Sequence, residues 1–150
     1  MNLRRLQGVL NAAARLIVRK KKYDSITSTL RERDVLHWLP VRQRVDYKLG
    51  VLMFNCRHNL APGYLTTMCH AVSEIPGRHN LRSVARQDLM VPPTRTVRYG
   101  PRSFAVAGPS MWNSLPTSLR NQQLSVASFR RHLKTELYCR AHNISPLAHS

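Results

Sequence analysis

The chain has 150 residues, and its 24 Lys and Arg residues against 7 Asp and Glu give a formal net charge of +17 at pH 7. Hydrophobic residues make up 43% of it, which is enough for one folded domain and disfavours full disorder. The seven acids are too few and too scattered for the paired carboxylates of a glycosidase or for a carboxylate-rich metal site. A folded chain this basic favours a polyanionic partner.

The first predicted element is an amphipathic helix over about residues 2–19. Its apolar residues recur in steps of three and four: Leu3, Leu6, Leu10, Ala13, Ala14 and Ile17. Residues 1–23 carry seven bases and no acid, and we predict that these bases contact nucleic-acid phosphates: Arg4, Arg5, Arg15, Arg19, Lys20, Lys21 and Lys22. The alternatives are a solvated helix face, a nuclear-import signal or a mitochondrial presequence, although residues 1–22 lack the serines typical of a presequence.

Three further helices are predicted before the middle of the chain, over about residues 25–32, 40–58 and 62–70. Asp24 or Ser25 can cap the first of them, and Pro40 and Pro62 suit the starts of the other two. Asn59 can end the helix over 40–58. Its predicted inward residues are Val41, Val45, Leu49, Leu52, Met53 and Cys56.

Residues 73–116 are rich in proline and contain the predicted β element. Alternating side chains indicate short strands between about residues 89 and 107, in a small hairpin or meander. Ser125 then caps a last helix over about 126–140. The predicted fold is therefore mainly α with a small β hairpin or meander (α+β). It forms a single domain over residues 1–140, in which a helical region covers 1–72, a β-containing region covers 73–116 and a C-terminal helix covers 125–140. A frayed tail follows over 141–150.

Two kinds of side chain are candidates for further sites. Three Cys/His pairs suggest zinc, but their spacings of one residue or none are poor for a tetrahedral site except in the last pair: Cys56–His58, Cys69–His70 and Cys139–His142. We therefore predict no metal, no cofactor and no catalytic residue. Trp38 and Trp112 lie in apolar, proline-flanked stretches that favour core positions, whereas Tyr99, between Arg98 and Arg102, is a candidate for base stacking.

Several strings, in this order and spacing, resemble one family over roughly residues 3–138. They include Asn11-Ala12-Ala13-Ala14-Arg15, His37-Trp38-Leu39-Pro40-Val41, Arg44-Val45-Asp46-Tyr47-Lys48, Leu60-Ala61-Pro62-Gly63-Tyr64-Leu65, Leu81-Arg82-Ser83, Gly100-Pro101-Arg102-Ser103-Phe104 and Trp112-Asn113-Ser114-Leu115-Pro116. The sequence resembles the C-terminal region, downstream of the polymerase palm, of reverse transcriptases from LINE-type, non-LTR retrotransposons of the jockey-like kind. The resemblance implies a segment that helps to hold RNA template and DNA primer.

The chain departs from that family at the catalytic motif. The family's polymerase site needs a Tyr-x-Asp-Asp turn that binds two metal ions, and this sequence has no Asp-Asp pair. We therefore expect a fragment that is not an enzyme on its own and that binds RNA or DNA backbones non-specifically. The alternatives are a protein–protein packing module separated from the missing polymerase domains, or a non-functional product of a truncated element. An odd number of cysteines and no secretory signal predict a nuclear or cytoplasmic protein, not secreted and without a membrane partner.

Overall fold

The computed structural model describes residues 3–31, 38–77, 86–97 and 99–144. The chain divides into two compact units. One contains Met1–Asp46 with Lys134–Ser150, and the other contains Tyr47–Leu133. Residues 32–37, 78–85, 98 and 145–150 lie outside the described residues. They include part of the family-like string at residues 37–41, all of the string at 81–83 and most of the predicted tail.

Six α-helices form most of the described structure. They are α1 (Leu3–Ile17), α2 (Thr27–Arg31), α3 (Val41–Arg57), α4 (Gly63–Thr66), α5 (Phe104–Asn113) and α6 (Val126–His142). Three short 3-10 turns lie at Val72–Glu74, Gly100–Arg102 and Thr117–Arg120. Helix α4 is shorter than the predicted helix over 62–70, and α5 was not predicted at all.

The predicted β hairpin or meander between residues 89 and 107 is wrong. Within the described residues, the only β pairing is an isolated antiparallel bridge between Ala71 and Leu89. Val72 donates to the Asp88 carbonyl at 3.1 Å and Met90 donates to the His70 carbonyl at 2.8 Å. Pro92 and Pro93 follow after Val91, and because proline has no N–H donor they disfavour an extension of the pairing.

The last part of the predicted β element, Ser103–Ala107, instead forms the start of helix α5. Ser103 has an extended backbone before the helix, and its carbonyl accepts the first helical hydrogen bond from Ala107 at 2.8 Å. Local propensity opposes this helix because Pro109 lies inside it. Burial favours it, since the helix places Gly108, Pro109, Met111 and Trp112 in the core. Tertiary packing therefore overrides the short-range pattern that suggested a strand.

An aromatic cluster forms the core of the Tyr47–Leu133 unit. The ring centroids of Phe54 on α3 and Phe129 on α6 lie 4.3 Å apart, and the Trp112 ring lies 6.1 Å from that of Phe129. Trp112 is 2% exposed, so its predicted role as a core anchor is confirmed. Helices α3 and α5 approach closely at Gly108, where an added Cβ would lie 2.5 Å from the Met53 sulfur.

The side-chain amide of Asn113 bonds to the backbone N–H and carbonyl of Leu89, as a neighbouring β-strand would do. Its Oδ1 accepts a hydrogen bond from the Leu89 N–H, and its Nδ2 donates to the Leu89 carbonyl, both at 2.8 Å. Beside it, the buried guanidinium of Arg120, 5% exposed, pairs with the carboxylate of Asp88. Arg86 contributes a second, exposed contact to the same carboxylate at 3.3 Å.

The other unit has buried apolar residues of its own, among them Leu137 and Tyr138. Ala14, Ile26 and Leu39 are buried. The Gln7 Oε1 accepts a hydrogen bond from the Val41 N–H at 2.9 Å, so a side chain of α1 satisfies a free donor at the start of α3. The apolar stripe of α1 is only partly covered, since Ala14 is its one buried residue and Leu3, Leu6 and Ile17 are exposed.

The Asp88–Arg120 pair generates a stability prediction. Asp88→Ala leaves a buried, uncompensated guanidinium, and we expect a loss of about 3 kcal/mol in the free energy of unfolding. Adding Arg120→Met should recover most of that loss, because no charge is then stranded. Urea unfolding measures both. Glu136→Ala, which breaks the more exposed Glu136–Arg140 pair, is the control and should cost under about 1 kcal/mol; equal losses at the two sites would contradict the prediction.

Candidate nucleic-acid interface

The predicted basic segment consists of helix α1 and the turn that follows it. Helix α1 ends in a Schellman motif, in which Lys20 donates to the Arg15 carbonyl at 2.9 Å and Arg19 donates to the Leu16 carbonyl at 3.3 Å. Arg19 has a φ of +54°, a left-handed conformation that glycine usually supplies at this position. The chain therefore keeps a cation where backbone conformation favours glycine.

Three of the seven predicted cations are positioned by neutral groups. Arg15 Nε donates to the Asp24 carbonyl at 3.1 Å, and Lys20 Nζ donates to Thr29 Oγ1 at 2.7 Å. Lys22 Nζ lies 5.6 Å from the centre of the Tyr23 ring. These contacts order the side chains without pairing them with a negative charge.

The nearest described acid to this segment, Asp24, is used by the backbone. Its Oδ2 accepts a hydrogen bond from the Lys21 N–H at 2.8 Å, which closes the turn. Within the described residues, none of the seven cations forms a salt bridge. All but the half-buried Arg15 are exposed. The segment therefore presents a concentrated positive charge to solvent.

Arg4 and Arg5 add to this charge at the least favourable end of a helix. They lie in the first turn of α1, which contains no acid. The helix dipole is positive there and disfavours cations by about 0.3–1 kcal/mol each at low salt. An anion bound near these two side chains would relieve that repulsion.

Each acid that the structure describes interacts with a neighbouring group. Burial raises the pKa of the Asp46 carboxyl above its ordinary value, and the charges of Arg42 and Arg140 oppose that effect. The remaining acids contact Lys21 N–H (Asp24), Ala71 N–H and His70 (Glu74), Arg86 and Arg120 (Asp88), and Arg140 (Glu136). In the described ranges, none of these acids is ion-paired with a cation of the basic segment.

Tyr99 lies in the Tyr47–Leu133 unit, whereas the seven cations lie in the other unit. It precedes the Gly100–Arg102 turn, and its side chain is 71% exposed. Arg102 beside it is also exposed, and Arg98 lies outside the described residues. Base stacking on Tyr99 stays a prediction.

Several of the described cysteines and histidines take part in packing. Among the residues that the structure describes, no three His, Cys, Asp or Glu side chains are grouped closely enough to hold a metal ion. The His58 ring stacks on Phe54 at 4.0 Å, and the His142 ring packs against Tyr138 at 4.6 Å. All three cysteines are free thiols. Burial and the neighbouring Cys56 thiol raise the pKa of Cys69 to about 12, which disfavours the thiolate that zinc requires.

A groove along α3 was not singled out from the sequence. Its volume is about 430 Å³, and it is lined by Tyr47, Lys48, Val51, Leu52, Asn55 and Arg130. Leu52 was predicted to point inward with Val45, but Leu52 lines this groove and Val45 is 50% exposed. The four-residue steps from Tyr47 to Val51 to Asn55, and from Lys48 to Leu52, were the sequence signal for a second face of the helix.

Neither the helices nor a comparison with known proteins indicates a function. Among the helices of the described ranges, none is both long enough and apolar enough to cross a bilayer. No protein-family model, curated protein or solved structure matches the chain. Function is therefore inferred from charge, exposure and geometry.

The left-handed Arg19 generates a prediction. Arg19→Gly should raise the free energy of unfolding by about 1 kcal/mol, because the left-handed conformation costs a residue with a Cβ about 1–2 kcal/mol. Asn59, with a φ of +56° at the end of α3, is the matched position. Asn59→Gly should change stability by only a few tenths of a kcal/mol, on the order expected for a residue that tolerates this conformation. Urea unfolding of both variants checks this, and destabilisation by Arg19→Gly would refute it.

The raised pKa of Cys69 leads to a prediction about its reactivity. At about pH 8 we expect iodoacetamide to alkylate Cys69 some 10- to 100-fold more slowly in the folded chain than in denaturant, since little thiolate is present. The rate should keep rising with pH without a plateau near the pKa of a free thiol, about 8.5. Mass spectrometry of the peptide spanning 58–78 measures it. A folded-state rate equal to that in denaturant would contradict the prediction.

Proposed function

We propose that this chain binds RNA or DNA backbones non-specifically through its N-terminal basic segment and performs no catalysis of its own. The observation that supports the proposal is the exposed positive charge of residues 4–22, whose seven cations form no salt bridge within the described residues. Polyanions bind such surfaces mainly by releasing condensed counterions. The cations positioned by neutral acceptors, Arg15 and Lys20, lose less freedom on binding than unrestrained ones.

The proposal agrees with the role implied by the sequence resemblance. A segment downstream of the polymerase palm of a LINE-type reverse transcriptase would contact template and primer while other domains of the enzyme supply the metal-binding aspartates. The absence of an Asp-Asp pair supports a binding role without polymerase activity. We place this activity in the nucleus or cytoplasm, where three free thiols suit a reducing compartment.

A second candidate function, a protein-packing module, is favoured by the uncovered apolar face of α1. Leu16 is 82% exposed, Val9 69% and Ile17 58%. Clustered apolar side chains on one helix favour a protein partner, and the missing polymerase domains would be one. Size-exclusion chromatography separates the candidates, because a packing module should self-associate without nucleic acid and a binding module should remain monomeric until nucleic acid is added.

The binding proposal predicts a salt-sensitive affinity. Removing three exposed cations with Arg19→Asn, Lys21→Gln and Lys22→Gln should lower the slope of log affinity against log salt by about 2–3 on duplex DNA, at about 0.9 per lost contact. Fluorescence anisotropy with duplex DNA and an RNA–DNA heteroduplex, between about 50 and 200 mM salt, measures the slope. Arg15 and Lys20 are kept because their hydrogen bonds order the turn.

The matched control removes three bases from the rest of the chain: Arg95→Gln, Arg102→Gln and Arg131→Gln. It lowers net charge equally, so an equal loss of slope would show that total charge, not the N-terminal segment, drives binding. An affinity for either probe that does not depend on salt would refute the proposal.

A further inference from the structure

We propose that the groove along α3 binds one unstacked nucleotide of a single-stranded nucleic acid. This rests on the proposed function for the class of partner and adds a second, chemically distinct site. The groove lies wholly within the Tyr47–Leu133 unit, whereas the residues to which phosphate contact was assigned belong to the other unit.

Helix α3 can support such a groove because it is apolar on two faces. Gly50, Met53, Phe54 and Cys56 are buried on the core side of the helix. Val51 and Leu52 remain half-buried and line the groove. The helix is fixed by its core face, so the groove is a preformed surface that needs no rearrangement to receive a ligand.

The charge at the groove selects an anion. Lys48 on α3 and Arg130 on α6 both line it and both are exposed, and the described lining residues include no acid. Neither forms a salt bridge within the described residues. Two cations beside an apolar surface fit a ligand that has an anionic group and a flat apolar group.

The polar lining residues indicate that the flat group is a nucleobase. Asn55 has an amide that can donate and accept, which is the pairing that base edges require. Tyr47 supplies an aromatic ring, and aromatic rings stack on bases of any sequence. A volume of about 430 Å³ suits one nucleotide, and a base inside a duplex cannot enter because it is stacked and paired.

An acidic amphipathic helix is the other occupant that these charges would admit. Such a helix needs a hydrophobic groove for apolar anchors spaced over two turns. Among the described residues, only two aliphatic side chains line this groove, Val51 and Leu52. The lining therefore favours a nucleotide over a peptide.

The test compares affinities of the full chain for oligothymidylate and for a matched DNA duplex. Lys48→Ala with Arg130→Ala should weaken oligothymidylate binding about tenfold, the loss expected for one or two charge-assisted contacts. Duplex binding should weaken less than about twofold, a change of under half a kcal/mol. Both positions are exposed, so we expect thermal unfolding to be unchanged. The control, Arg95→Ala with Arg131→Ala, removes equal charge outside the groove lining and should have little effect on either probe.

Ultraviolet crosslinking of oligothymidylate to the wild-type chain provides a second readout that needs no variant. Trypsin releases the groove face of α3 as the peptides Val45–Lys48 and Leu49–Arg57, and we expect crosslinks on one or both. Crosslinks confined to residues 4–22, or equal losses for single strand and duplex, would overturn the groove site and leave the proposed function standing. If the Lys48/Arg130 variant loses as much affinity for polyglutamate as for oligothymidylate, the nucleotide is overturned in favour of a peptide.

The two proposals fail separately. If the variant with Arg19, Lys21 and Lys22 replaced binds both probes as the wild type does, while the Lys48/Arg130 variant loses oligothymidylate, the N-terminal proposal fails and the groove stands. If the wild-type chain binds neither probe, both fail.

Discussion

The stack of Phe54 on Phe129 is the contact around which the Tyr47–Leu133 unit is built. It joins α3 to the first turn of α6, and Trp112 brings α5 to the same cluster. Gly108 lets α5 approach α3 as closely as this cluster requires. Because one face of α3 is fixed in this way, its other face presents Val51 and Leu52 to the groove, beside Arg130 of α6. Core packing thereby determines where a ligand can bind.

Helices with clear periodicity were predictable from the sequence, and so was the residue that ends α3. Asn59 has the left-handed conformation expected of a residue that closes a helix. The failure came at residues 89–107, where alternation over a few residues suggested strands. There the decisive contacts are distant in sequence: Asn113 binds Leu89, and Trp112 packs against Phe129. Local patterns contain no information about such contacts, and Pro109 made the helix look improbable.

Of the two candidate sites, the sequence revealed the basic segment but not the groove. A run of like charges is visible in any sequence, so the basic segment was found at once. Its internal order was not visible, because it depends on acceptors such as Thr29 and the Asp24 carbonyl that the fold brings into reach. The groove was missed because Leu52 was interpreted as a core residue, and only the packing of α3 shows that the helix has two apolar faces.

The two hydrogen bonds from the Asn113 amide to the Leu89 backbone affect how the protein behaves at high concentration. An extended segment with free backbone groups can recruit the same segment of another molecule and begin aggregation. At Leu89 both backbone groups are occupied by the Asn113 amide. Pro92 and Pro93 then remove two donors from the residues that follow. Proline placement and one side-chain amide thus protect the extended segment from edge-to-edge association, in a chain whose high net charge already keeps its copies apart.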